Sequence, residues 1–101
     1  MSEVNMTVHT FRMGTDKEAA NKVLEEASEA REAAQQARIC NPSSAYCEYN
    51  CHDKCETLEY LADEIADCIQ ACVNLADRYG IDLQAAMERC EKRNRERGRY
   101  E

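Results

Sequence analysis

The chain has 101 residues, room for one domain, and a domain of that size buries so little surface that it often draws stability from a metal or a partner subunit. A net charge of −7 argues against a nucleic-acid polymer or an anionic membrane as partner, because either would approach against the protein's own field. One Pro and three Gly among many Ala, Glu, Arg and Leu favour helix, and no alternating segment is long enough to build a sheet.

In chain order, residues 1–14 form an N-terminal arm in which Val8, His9, Thr10 and Phe11 suit a short extended stretch or a frayed start. The first residues have no basic flank leading into an apolar core, and no apolar run could span a bilayer, so a cytoplasmic location with reduced thiols is expected. A helical domain is expected over 15–98. Thr15 and Glu18 have capping-box spacing, which starts a first helix running from about Asp16 to Arg38 with Ala20, Val23, Leu24, Ala27, Ala30 and Ala34 as its apolar stripe.

A cysteine-rich connection follows at about 39–52, with the turn formers Asn41, Pro42, Ser43 and Ser44. Asp53 and Glu56 repeat the cap signature. Leu58, Leu61, Ile65, Ile69, Cys72 and Leu75 then recur at helical spacing as far as Tyr79. Gly80 can end that helix in the left-handed conformation, and Asp82 can cap a third one, carrying Leu83, Ala86, Met87 and Cys90 to near Gly98. Residues 99–101 are a tail. The expected fold is all-α, an antiparallel hairpin plus a third helix, and its uncovered apolar stripes predict self-association into a helical bundle.

Two acidic clusters stand out. Glu25, Glu26 and Glu29 lie on the first helix, Glu64 and Asp67 on the second, and acids three apart on a helix project from one face. In an antiparallel hairpin Glu29 and Glu64 are level if the turn is centred near Tyr46 or Cys47, and the connection straddles that point. Carboxylates so crowded resist ionisation unless a hard divalent cation neutralises them. Magnesium, or manganese, would also bridge to substrate phosphates. A single such acidic pair is usually a solvated face; matched pairs on two facing helices raise the weight of a site.

The order KVLEEASEA (Lys22 to Ala30), DEIAD (Asp63 to Asp67) and YGIDLQAAMERCEKRNRERG (Tyr79 to Gly98) resembles the MazG-like all-α pyrophosphohydrolases, with EExxE on one helix and ExxD on the next. Relatives in that superfamily include dCTP pyrophosphatase, dimeric dUTPase and phosphoribosyl-ATP pyrophosphatase. The resemblance implies a hydrolase that converts a nucleoside triphosphate and water to the monophosphate and pyrophosphate. It implies magnesium ligands at Glu26, Glu29, Glu64 and Asp67, with Glu25 completing the cluster or orienting a water. It further implies nucleotide contacts at Lys92, Asn94 and Arg97, with Lys22 as another candidate, and a homodimer or homotetramer. Where some relatives have a Lys four positions before the Asn, this chain has Cys90.

Cys40, Cys47, Cys51 and Cys55, with His52, could supply a tetrahedral zinc site, but no CxxC pair occurs and buried free thiols are the default expectation. Two alternatives to a nucleoside triphosphate pyrophosphohydrolase follow. One is phosphoribosyl-ATP pyrophosphatase, which shares the EExxE helix. The other is a zinc-stabilised helical interaction module without activity.

Overall fold

The computed structural model describes residues 2–39 and 56–101, and the fold is all-α: α1 spans Asp16–Ile39, α2 Glu56–Arg78 and α3 Leu83–Glu96. The helix starts obey local chemistry. The Glu18 amide donates to Thr15 Oγ1 at 3.1 Å and the Thr15 amide to Glu18 Oε2 at 3.0 Å, so the capping box forms in both directions. At α3 the Ala85 amide donates to Asp82 Oδ1 at 3.0 Å. The end of α2 closes on Gly80, with φ of 65°, through a bond from the Gly80 amide to the Asp77 carbonyl and one from the Ile81 amide to the Ala76 carbonyl. That bond pair, with the left-handed residue glycine supplies, is the Schellman ending of a helix.

α1 and α2 form an antiparallel hairpin, and among the described helices α3 packs on α2 and not on α1. Asp16 at the first position of α1 pairs with Arg78 at the last position of α2. Further along, Glu26 meets Asp67, and Glu29 meets Glu64. These level pairs share one register, whose midpoint falls at residues 46–47, where the acidic spacing placed it.

The faces of the hairpin depart from the expected stripe. The α1 seam is made by Ala19, Val23, Glu26, Ala30 and Ala33, whereas Ala20, Leu24 and Ala27 are exposed, Leu24 by 70%. On α2 the buried positions are Ala71, Asn74 and Ala76, while Ile65 is 45% exposed. The most buried positions are thus small or polar, Val23, Leu61, Ile69 and Leu75 are half-buried, and Leu24 and Ile65 are exposed. Ranking residues by hydrophobicity mixed the two faces: Val23 and Ala30 of the expected stripe lie in the seam, whereas Ala20, Leu24 and Ala27 do not.

Residues 2–15 have no regular secondary structure, and their later part is strapped to α2. The Phe11 amide donates to Asn74 Oδ1 at 3.0 Å, and Gln70 Nε2 donates both to the His9 carbonyl and to Asn74 Oδ1 at 2.9 Å. Asn74 is thus a buried amide whose oxygen is satisfied by the arm, as a buried polar group requires. No described helix is long and apolar enough to cross a membrane.

Candidate metal centre

The hairpin register brings Glu26 of α1 together with Glu64 and Asp67 of α2, each offering a carboxylate oxygen within 4.8 Å of the others. Helical spacing explains the pairing on α2: residues three apart sit one above the other, so Glu64 and Asp67 look at the same point on α1. Glu26 is only 7% exposed, Glu64 half-buried and Asp67 exposed, so the cluster is closed towards the seam and open on one side. Glu26 Oε2 and Glu64 Oε2 are shielded from water and make no hydrogen bond. Shielded carboxylate oxygens without a partner are costly. Here the orphan oxygens belong to a set of hard donors that fits a hard divalent cation, the ligand that would remove that cost.

The surrounding groups register the crowding of negative charge. Glu29, half-buried, lies against Glu64, and the hydrogen bond the two can share when one is protonated raises its carboxyl above the usual range. The negative charge of Glu26 adds to this. Tyr60, one turn before Glu64, has its phenol pushed up, chiefly by the charge of Glu64. Lys22, one turn before Glu26, places Nζ 3.0 Å from Glu26 Oε1 and 3.3 Å from Glu25 Oε1. Those bonds, the one to Glu26 foremost, raise the lysine further and keep it charged.

Of the residues singled out from sequence, Glu26, Glu64 and Asp67 converge. Glu29 stands beside them but outside the three-oxygen group, and Glu25 is exposed and turned to Lys22. Of the α3 candidates, Lys92 and Asn94 have side-chain partners on α3 or just beyond it. Lys92 faces Glu96 at 3.9 Å, and Asn94 donates to Tyr100 Oη at 3.1 Å and accepts from Arg99 at 3.3 Å. Arg97 is the C-cap of α3, its amide bonded to the Arg93 and Arg95 carbonyls. Tyr60 escaped the sequence reading, although its position one turn before Glu64 repeats that of Lys22 before Glu26. Cys40, Cys47, Cys51, His52 and Cys55 lie outside the described residues. Cys68, Cys72 and Cys90 are free thiols, and burial pushes the Cys72 thiol up.

Residues 3–94 match the family model described as phosphoribosyl-ATP pyrophosphohydrolase, so the match takes in the hairpin, the three carboxylates and nearly all of α3. No curated protein and no solved structure matches the chain.

Proposed function

The chain belongs to the phosphoribosyl-ATP pyrophosphohydrolase family, within the MazG-like superfamily, and is a hydrolase of phosphoanhydride bonds; from that premise we propose a magnesium-dependent enzyme that cleaves between the α- and β-phosphates of a nucleotide carrying a 5′-triphosphate. The observation that carries this reading is the trio Glu26, Glu64 and Asp67, with two shielded oxygens that no protein donor satisfies. Phosphoribosyl-ATP, the substrate of the matched family's description, becomes the first candidate, ahead of the free ribo- or deoxynucleoside triphosphates favoured by the basic end of α3. Both present the same triphosphate to the carboxylates.

Glu26, Glu64 and Asp67 would hold the ion, with Glu29 as the fourth carboxylate of the centre. Magnesium, or manganese, bound there supplies charge neutralisation for the phosphate oxygens and a more acidic water. The chain's own contribution is orientation. Two rigid helices fix the carboxylates, and the seam of small side chains excludes water from their inner side. Glu29, which lies against Glu64 and outside the three-oxygen group, is placed to accept a proton from the attacking water as a carboxylate. Lys92, Asn94 and Arg97, on α3 and at its end, would serve as contacts for the substrate phosphates.

The large apolar side chains outside the seam, Leu24 and Ile65 among them, support self-association as a dimer or a pair of dimers. Purified protein with magnesium is offered phosphoribosyl-ATP and a panel of nucleoside triphosphates, and release of pyrophosphate with the corresponding monophosphate is measured. Turnover that Glu26→Gln and Asp67→Asn abolish is expected; turnover indifferent to both would remove the carboxylates from the chemistry.

A further inference from the structure

The two oxygens of Glu26 have different surroundings. Oε1 is 3.0 Å from the Lys22 ammonium, one helical turn away on the same helix, while Oε2 is shielded from solvent and has no hydrogen-bond partner. The carboxylate sits in the seam, with 9% of its side chain exposed, whereas the lysine is 35% exposed and reaches in from the rim. Lys22 also spans to the exposed Glu25 at 3.3 Å, so two of its three donor directions are committed to α1 itself.

We infer that Lys22 is a positioning residue for the metal centre: by anchoring Glu26 Oε1 it fixes the carboxylate so that Oε2 faces the cation, and it is not a ligand of the substrate phosphates. The inference rests on the metal-centre reading above and assigns Lys22 a role within it. A glutamate has several rotatable bonds, and immobilising it at the moment of binding costs conformational entropy. A side chain held in advance by an outer partner binds more tightly, and loss of such partners typically weakens metal sites by about 10- to 100-fold.

Charge alone predicts the opposite sign. A lysine next to the cluster repels a divalent cation and competes for Glu26, so an effect through charge only would make Lys22→Met bind metal more tightly. A substrate-phosphate role predicts a third pattern, in which metal affinity is unchanged and the KM for nucleotide rises.

The test is titration of Mn2+ into metal-free protein, following the free-ion signal by electron paramagnetic resonance with no nucleotide present. Lys22→Met is expected to weaken Mn2+ binding by about tenfold or more, and Lys22→Arg to restore most of it. Unchanged or tighter binding by a folded Lys22→Met protein overturns the inference. A second measurement uses the wild-type chain, so it does not depend on a variant folding. The Lys22 side-chain ammonium, followed by 15N NMR, is expected to stay bonded when Mg2+ is added, and its release to solvent overturns the inference. Absence of any Mn2+ binding by the wild type removes the metal centre itself, a failure distinguishable from tight binding that ignores Lys22.

Discussion

The backbone amide of Phe11 donates to the side-chain oxygen of Asn74, so a residue of the N-terminal arm completes a buried polar group near the C-terminal end of α2. Asn74→Ala strands the Phe11 amide and frees Gln70 from one of its two acceptors. Loss of a part-buried hydrogen bond of this kind costs about 0.5–1.5 kcal/mol. The expected result is a lower melting temperature by circular dichroism together with faster proteolysis within residues 2–13. Equal proteolysis in both proteins would show that the arm is not held by Asn74.

The three carboxylates predict a large, metal-specific stabilisation. Magnesium at a hundred times its dissociation constant is expected to add about 2.7 kcal/mol to the folded state, a rise on the order of 10 °C in melting temperature for a domain this small. Chelation with EDTA reverses it. Asp67→Asn removes most of the rise; because it also takes one negative charge from beside Glu26 and Glu64, the variant melts no lower than the wild type in the absence of metal. A magnesium response of the same size in Asp67→Asn would place the ion elsewhere.

Glu29 gives the metal-free protein a pH dependence of predictable sign. Its carboxyl is raised in the fold by Glu64 first and then by Glu26. Folding therefore takes up a proton between the ordinary carboxylate range, about pH 4.3, and the raised value. Stability from this group is lost as pH rises through that window. Glu29→Gln removes the dependence, so in EDTA the variant melts above the wild type at neutral pH, and that gain shrinks as the pH falls through the window. A gain that is the same at every pH would assign the effect to packing.

Much of this was legible from residue order, for a physical reason in each case. Caps act over three or four residues, so Thr15 with Glu18, Asp82 and Gly80 announced helix boundaries that the backbone bonds reproduce. The hairpin register was legible because acids three apart on two helices can meet only at one turn position. The choice of face was legible only in part, since Val23 and Ala30 of the expected stripe lie in the seam. Ala20, Leu24 and Ala27 make the better apolar stripe by hydrophobicity, yet Ala19, Glu26 and Ala33 are the buried residues of α1. The hairpin seam is set by how closely two backbones approach, which favours small side chains over the most hydrophobic ones. The strap from Phe11 to Asn74 joins residues 63 positions apart, a relation that no local pattern encodes.

The same mismatch of faces predicts the effect of charging the outer surface. Leu24 on α1 and Ile65 on α2 are largely exposed, and neither belongs to the seam. Leu24→Glu and Ile65→Glu therefore leave the hairpin's own contacts intact, and helicity by circular dichroism is expected to match the wild type. If these side chains are covered by a second copy, each substitution buries a charge in that interface and costs about 2 kcal/mol or more, a loss of affinity of roughly thirtyfold. Sedimentation equilibrium is then expected to show the average mass falling towards that of one chain at concentrations where the wild type associates. Variants that associate as the wild type does would mean that Leu24 and Ile65 lie outside the interface between copies.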